Sequence, residues 1–332
     1  MTSDAINKIR STLLHFLPKQ HKLKALNTFY ELIRNYPNRA GKGIRGLVTL
    51  KSTEAHGAHW QQGIPAAAGI ESFQNWVLIH DDIEDNSESR RGLPTLHKEV
   101  GIPIALNVGD ALHAYMWDLL LSLTADLSLG TSILKEFVWI IHRTSEGQHL
   151  DLTWVEENNF DIAEQDYLQM VYLKTACYTV VGPLRLGALS AGVQPTEAFL
   201  ESGKLLGCAF QIRDDILNLT PNLTIGKEFA GDLYEAKRTL ILAHLFSHAT
   251  FEERLEIIER LSCPRQKRTE DDIARILSLI RTYGSIDYAQ DYANRLAHTG
   301  LSTLEAAFPN PANITALNHL KSLFKSLVTR DS

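Results

Sequence analysis

The chain has 332 residues, of which 44% are hydrophobic and 22% are charged, and its formal net charge is −6 at pH 7. This charge argues against a nucleic-acid-binding protein, because such proteins gain affinity by neutralising phosphates with basic residues. Cys177, Cys208 and Cys263 are too few and too scattered for a disulfide framework or a zinc site, which indicates a reducing compartment. The sequence has no signal-peptide layout and no apolar run approaching ~18 residues, so we expect a cytoplasmic protein without a transmembrane segment.

Apolar residues recur with the period of an α-helix along most of the chain. The helices that this period predicts cover residues 103–120, 131–152, 166–181, 197–219, 234–248, 271–283, 288–298 and 316–328, after an apolar stripe near the start. We find no run of alternating β-branched residues, no internal repeat and no long linker. The sequence therefore predicts an all-α protein in which ten or more helices surround a common core, as one domain over residues 1–332.

The first polar motif in chain order is Gly41–Gly46, which formally matches the G-x-G-x-x-G pattern of dinucleotide-binding proteins. That fingerprint requires a preceding strand, and the residues before Gly41 include Pro37 and do not form a strand pattern. The better interpretation is a loop that enters a helix, where Lys42, Arg45 and the first helical amides could bind a phosphate. The alternative is a solvated basic turn.

An apolar helical run ends in a carboxylate cluster formed by Asp81, Asp82 and Asp85. In a helix, Asp81 and Asp85 lie one turn apart on the same face, where they repel each other unless a cation lies between them. Proteins usually hold Mg²⁺ with one or two carboxylates, waters and substrate phosphates. Arg90 and Arg91 follow the cluster, either as ion-pair partners or as phosphate ligands. The simpler alternative is a solvated acidic helix end.

A second cluster, Asp214 and Asp215, repeats this arrangement at the end of another apolar helix, between Gln211 and Asn218. Two such pairs are less easily attributed to chance than one. If they face each other across a helix bundle, they could bridge several divalent ions on one diphosphate. Lys174 interrupts a further apolar helix, where a lysine is costly unless it is paired.

Six motifs occur in an order that resembles the trans-isoprenyl diphosphate synthases, the polyprenyl synthetase family. They are a GKxxR element, DDxxD with an RRG tail, GQxxDL at Gly147–Leu152, a Lys-Thr pair, the second Asp pair, and a GK…DLxxxK element. The resemblance implies an isoprenoid synthase helical bundle around a deep central pocket, usually a homodimer. It also implies Mg²⁺-dependent head-to-tail condensation of isopentenyl diphosphate with dimethylallyl, geranyl or farnesyl diphosphate, with three Mg²⁺ ions per active site.

The resemblance also implies a role for individual residues. Asp81, Asp85 and Asp214 resemble the Mg²⁺ ligands, and Asp82 and Asp215 would support them. The residues that resemble the other contacts of the allylic diphosphate are Arg90, Lys174, Thr175, Gln211, Lys227 and Lys237, of which Lys174 is also implied in catalysis. Those that resemble the second, metal-free diphosphate site are Lys42, Arg45, Gln74 and Arg91.

The chain departs from the family pattern at two positions. Asn218 stands where the family usually has Asp, and we expect it to weaken one metal contact without abolishing activity. Gly46 stands where Pro is common, and we expect only a small change of the backbone.

Product length is also implied by the resemblance. In this family a bulky aromatic residue five positions before the first Asp of DDxxD stops elongation early, and Trp76 occupies that position. With Val77 and Phe73 as further parts of the pocket floor, we expect a C15 or C20 product. The alternative is that Trp76 only packs between helices, as tryptophans often do.

Two other functions remain possible from the sequence. A class I terpene cyclase would share the fold and the first motif, but Asn218 and Asn222 occupy the positions where its second motif needs Ser or Thr and Glu. A non-catalytic partner subunit of a prenyl synthase usually loses Asp in the first motif, whereas this chain keeps Asp81 and Asp85. The cations proposed for a second diphosphate favour condensation.

Overall fold

The computed structural model describes residues 2–39, 41–220 and 228–328. The helices of the first half are α1 (Thr2–Phe16), α2 (Lys24–Ile33), α3 (Asn35–Asn38), α4 (Ile44–Ala55), α5 (Ile64–Glu84), α6 (Leu96–Val100) and α7 (Ile102–Thr124), with a 3₁₀ turn at Trp60–Gly63. The only strands in the described part of the chain are β1 (Ser89–Arg90) and β2 (Leu93–Pro94), which form an antiparallel hairpin.

The second half is also helical. Its elements are α8 (Gly130–Glu156), α9 (Glu164–Val171), a π-helix (Tyr172–Val181), α10 (Gly182–Ser190), α11 (Ala198–Asn218), α12 (Gly231–Tyr234), α13 (Leu240–His248), α14 (Phe251–Ser262), a 3₁₀ turn at Arg265–Lys267, α15 (Glu270–Thr282), α16 (Ser285–Ala306) and α17 (Ile314–Val328). The predicted all-α class is therefore confirmed. None of the described helices is long and apolar enough to cross a membrane.

Two helix predictions need correction. The helix predicted over 234–248 is interrupted at 235–239, because Ala236 has a φ of 54°, in the left-handed region that ends a helix. The sequence analysis also missed α14. Its signal was present, since Thr250 and Glu253 form a capping box at its start.

The helix α5 lies at the centre of the fold and carries the first Asp cluster at its C-terminal end. It packs against α4 on one side and α7 on the other. Gly69 allows a close approach of α7 and α8, since a Cβ atom added there would lie 2.6 Å from Leu120 and 2.9 Å from Phe137. Because its body is buried in this way, the position of its acidic end is fixed.

The helices α9 and α10 continue into each other through the ten-residue π-helix, which carries Lys174 and Thr175. Such π-helical segments are rare and occur often at functional sites. This one is held between α8 and α11. A Cβ atom added to Gly147 would lie 2.1 Å from the Lys174 backbone nitrogen, and one added to Gly207 would lie 2.3 Å from the Ala176 side chain.

This close packing predicts a large loss of stability for Gly147→Ala. On an open helix Ala would be favoured over Gly by about 1 kcal/mol. Here the methyl group meets backbone atoms that cannot rotate away, so we expect a net loss of about 3 kcal/mol in the free energy of unfolding, measured by urea denaturation.

Gly231→Ala is the matched control, since the atom nearest to its added Cβ lies at 3.6 Å. It should change stability by less than about 0.5 kcal/mol. Equal stability of the two variants would contradict the packing described for α8 and the π-helix.

Candidate active site

The carboxylates of the first Asp cluster differ in their hydrogen-bond partners. Asp82 is only 1% exposed and accepts hydrogen bonds from the Tyr36 hydroxyl and from Arg90, whose Nε lies 2.8 Å from Oδ1. These contacts anchor the end of α5 to α3 and to the hairpin. Asp82 thus holds Arg90 in place, and Arg90 Nη2 reaches Asp81 Oδ2 only at 3.5 Å, so that Asp81 and Asp85 have their shorter contacts with other residues.

The second cluster, on α11, has the same design. Asp215 is buried and accepts hydrogen bonds from the Tyr167 hydroxyl at 2.6 Å and from Gln211 Nε2 at 2.8 Å. Burial raises the pKa of Asp215 to about 6, although both hydrogen bonds oppose the shift. Asp214 is half-buried. In both clusters the second Asp is therefore fixed by a tyrosine from another helix, a contact that the sequence analysis did not foresee.

Asp81 and Asp85 of the first cluster take part in a chain of alternating charges, here called the charge chain. Lys174 Nζ lies 2.6 Å from Asp151 and 3.3 Å from Asp81, and Lys237 Nζ lies 2.9 Å from Asp151 and 2.5 Å from Asp85. The order is Asp81, Lys174, Asp151, Lys237 and Asp85. This chain joins α5, α8, the π-helix and the segment after α12 at one point.

The pKa shifts follow from burial and this pairing. Burial raises the pKa of the Asp81 carboxyl, but Lys174, Lys237 and Arg90 outweigh it and hold that pKa below its usual range. For Asp85 burial dominates and raises the pKa, although Lys237 opposes the shift.

The remaining predicted contacts of the allylic diphosphate lie near this chain. Thr175 donates a hydrogen bond to Gln211 Oε1 at 3.0 Å, which links the π-helix to α11. Gln148, which had no predicted role, donates to Glu84 at 2.6 Å and to Asp81 at 3.4 Å. Gln148 and Asp151 both belong to the GQxxDL motif, so the signal for them was visible. Lys227 lies outside the described residues.

Three of the predicted residues of the second diphosphate site, Lys42, Arg45 and Arg91, lie at or near the start of α4. Arg45 is buried, donates a hydrogen bond to Thr179 at 2.8 Å and lies over the Tyr178 ring. Arg91 Nη1 donates to the carbonyl oxygens of Tyr36 and Arg39 at 3.2 and 3.1 Å. Exposed Lys42 precedes α4, and half-buried Gln74 lies on α5.

A half-buried glutamate, Glu71, lies near both arginines. Glu71 of α5 accepts a hydrogen bond from the Gly46 backbone N–H at 2.8 Å. Burial raises the pKa of Glu71, while Arg45 and Arg91 oppose the shift, so both guanidinium groups lie near it. Proline has no N–H. Gly46 in place of Pro is thus more than a small backbone change, because it allows this hydrogen bond.

The side chain of Asn218 was expected at a metal contact, and the structure places it at a backbone contact instead. It is 7% exposed, and its Oδ1 accepts a hydrogen bond from the Asp232 backbone N–H at 3.1 Å. It thereby caps the start of α12, which Ala230 cannot do with a side chain. The amide oxygen that was expected to weaken a metal contact is engaged with the backbone.

The predicted pocket-floor residues lie between α5 and α7. The half-buried Trp76 stacks on His113 of α7, with ring centroids 3.9 Å apart and an interplanar angle of 7°. Phe73 is buried and meets the edges of Trp76 and Tyr178 at 5.4 Å. Val77 is half-buried. Trp76 therefore packs between helices, and this contact is compatible with a pocket floor.

A cleft of about 660 Å³ opens beside the charge chain, with Asp85, Lys237, Thr153 and Arg265 in its wall. Within the described residues, no three His, Cys, Asp or Glu side chains form a group that could hold a metal by themselves. Asp81 and Asp85 nevertheless offer hard oxygen atoms, and two ammonium groups balance their charge. Such a donor set suits Mg²⁺, which takes its other ligands from water and phosphate.

Comparison with known proteins agrees with this geometry. Residues 26–280 match the family model described as polyprenyl synthetase. The chain belongs to the polyprenyl synthetase family. The resemblance found in the motif order is thereby confirmed, and the protein is a prenyltransferase. The dinucleotide-binding interpretation of Gly41–Gly46 is excluded, because α3 and a short loop, not a strand, precede α4.

Relatives cover nearly the whole chain. The chain is 31% identical over 333 residues to geranylgeranyl diphosphate synthase of Saccharolobus solfataricus, covering 99% of this chain and 96% of the relative. It is 30% identical over 303 residues to geranylgeranyl pyrophosphate synthase of Geoglobus acetivorans, covering 91% of each. The structure superimposes on geranylgeranyl pyrophosphate synthase of Corynebacterium glutamicum, complexed with isoprenyl diphosphate and magnesium, with a TM-score of 0.89 at 25% identity, over 99% of each chain.

The anchoring of Asp215 predicts the effect of Tyr167→Phe. The substitution keeps the ring but removes the hydroxyl that donates to a buried carboxylate. Because hydrogen bonds to charged groups contribute more than neutral ones, we expect a loss of about 2 kcal/mol in the free energy of unfolding.

Tyr283→Phe is the control, since its hydroxyl also donates to a carboxylate, that of Glu253, but at the surface. It should leave stability almost unchanged in the same urea titration. An equal loss for both variants would mean that burial of Asp215 adds nothing.

Proposed function

We propose that this protein condenses isopentenyl diphosphate head-to-tail with an allylic diphosphate, and that the product is a C15 or C20 all-trans prenyl diphosphate. The observation that carries the proposal is the meeting of Asp81 and Asp85 with Lys174 and Lys237 beside the cleft. Carboxylates that can hold a divalent metal, next to cations that can bind phosphate, are what ionisation of an allylic diphosphate requires.

The proposed first step breaks the allylic carbon–oxygen bond, and negative charge then builds up on the leaving diphosphate. Lys174, Lys237 and Arg90 would bind this charge more strongly in the transition state than in the substrate. Asp81, Asp85 and Asp214 would hold divalent metal ions, three Mg²⁺ by resemblance, and bound metal supplies further positive charge to the phosphate oxygens. Divalent metal use in the family is supported by the magnesium in the Corynebacterium glutamicum complex.

The second substrate would bind at the start of α4. Lys42, Arg45, Gln74 and Arg91 are proposed to hold the diphosphate of isopentenyl diphosphate, whose double bond attacks the allylic cation. The cation needs surroundings that exclude water, and the aromatic rings of Phe73 and Tyr178 are suited to this. The departed diphosphate is proposed to accept the proton lost from the product, so that no histidine–carboxylate pair is required.

The helix α7 supports the proposal of a homodimer. It exposes Ile102, Ile104, Leu106 and Leu121, each between 44% and 58%. Apolar side chains of this size on one helix are typical of a protein interface. Sedimentation velocity at micromolar concentration should give twice the chain mass, and a monomer would contradict the dimer.

We also propose that residues 1–332 form one domain, since α1 packs on α5 and α17 packs on α4.

The activity assay combines isopentenyl diphosphate with C5, C10 or C15 allylic diphosphates and Mg²⁺, and scores the products by chain length. We expect C15 or C20 prenyl diphosphate, and we expect Asp81→Asn to lower the rate by at least about a hundredfold. Asp271→Asn, an exposed carboxylate on α15, should not change the rate.

Two outcomes would favour the alternative functions. A cyclic hydrocarbon formed from an allylic diphosphate alone would indicate a class I terpene cyclase. Activity only after addition of a second synthase subunit would indicate a non-catalytic partner.

Product length is tested by Trp76→Ala. Removing the indole from its place against His113 opens space at the proposed floor, so the main product should lengthen by at least one isoprene unit. Mass spectrometry of the extracted products measures this change.

Trp60→Ala removes another half-buried indole, at the opposite end of α5, and should leave product length unchanged. If Trp76→Ala makes products no longer than those of the wild type, Trp76 is a packing residue and does not set the floor.

A further inference from the structure

Asp151 is a buried carboxylate to which the roles proposed above give no function. It lies on α8, is 2% exposed, and its Oδ2 accepts hydrogen bonds from Lys174 at 2.6 Å and Lys237 at 2.9 Å. Its charge also acts on both Asp clusters, since it raises the pKa of Asp81 and of Asp215. Asp151 therefore bonds to both lysines and is near enough to both clusters for its charge to act on them.

The two lysines need this carboxylate to stay together. Both ammonium groups lie within hydrogen-bond distance of one oxygen atom, so they are close to each other and repel. Burial and the Lys237 charge both oppose protonation of Lys174, and Asp151 with the other nearby carboxylates overcomes them and keeps the pKa of Lys174 raised. Two buried like charges without a counter-charge between them would be strongly unfavourable.

The other carboxylate partners of the two lysines are the ones proposed to bind metal. Lys174 contacts Asp81 and Lys237 contacts Asp85, and these are the carboxylates proposed to hold metal. A metal ion held by those oxygen atoms would take them away from the lysines. Asp151 bonds to both lysines through Oδ2 and is not among the proposed metal ligands, so it can hold them in both situations.

We propose that Asp151 is a positioning residue, which keeps Lys174 and Lys237 side by side and directed at the allylic diphosphate while Asp81 and Asp85 bind metal. The inference rests on the proposed function, because it takes the two lysines to be diphosphate ligands. It adds a residue to that site which acts through the lysines and does not itself touch the substrate.

The effect of Asp151→Asn on diphosphate affinity separates a positioning role from simple charge repulsion, because the two predict changes in opposite directions. A carboxylate near a diphosphate repels it, so removing the charge of Asp151 should tighten diphosphate binding if only Coulomb forces matter. If Asp151 positions the lysines, Asp151→Asn should weaken the binding of inorganic diphosphate at saturating Mg²⁺, by about tenfold. Isothermal titration calorimetry on the substrate-free protein measures the dissociation constant.

The control is Glu136→Gln, which neutralises another buried carboxylate of α8 that is paired with Arg185 at 2.7 Å. It should leave the dissociation constant of diphosphate unchanged. In steady-state assays Asp151→Glu should recover part of the loss, whereas a purely structural role would not distinguish Glu from Asn.

A charge-balanced comparison covers the case in which Asp151→Asn alone does not fold. Lys237→Met is compared with Asp151→Asn/Lys237→Met, which lacks one charge of each sign. The double variant should bind diphosphate more weakly than Lys237→Met, because Lys174 has lost its anchor. Equal or tighter binding by the double variant would overturn the inference.

The same experiment distinguishes a wrong proposed function from a wrong positioning role of Asp151. If the wild type binds no inorganic diphosphate with Mg²⁺ and makes no prenyl product, both proposals are wrong. If the wild type binds diphosphate and makes product, and the Asp151 variants bind it as tightly, only the positioning role is wrong.

Discussion

The structure depends on the need to neutralise charge inside a helical bundle. Buried carboxylates and ammonium groups are stable only where they pair, because the cost of removing each from water is several kcal/mol. Asp81, Asp85 and Asp151 meet this condition by sharing Lys174 and Lys237. The four segments that carry these groups must therefore meet at one point, and the apolar packing of α5 and of the π-helix holds them there.

The same constraint explains why each Asp pair is asymmetric. One carboxylate of each pair, Asp82 or Asp215, is buried and receives a tyrosine hydroxyl from another helix. Its partner, Asp81 or Asp214, is less buried. An adjacent anchored carboxylate limits how far the helix end can move, and preorganisation of this kind is what electrostatic catalysis needs. Each pair thus combines an anchored carboxylate with one that is proposed to bind metal, although the two side chains are chemically identical.

The sequence predicted much of this and missed specific parts for physical reasons. Helical periodicity identifies buried helices well, because it reads which face is apolar, and most of the long helices were found. It could not locate the break at Ala236, since alanine rarely adopts a left-handed backbone. Motif order identified the family, but long-range contacts such as those of Tyr36 and Tyr167 depend on which helices are neighbours in space. Those neighbours are set by packing and are not visible in local patterns.

The charge chain also determines whether the folded bundle needs a bound cation to balance its carboxylates. In a zinc finger the cation is part of the folded core, and the peptide does not fold until the metal arrives. In this protein the cations are the side chains of Lys174 and Lys237. They lie where repulsion between carboxylates would otherwise oppose closure of the bundle. These carboxylates are therefore neutralised by the protein's own side chains, so closure of the bundle does not require a metal ion to balance them.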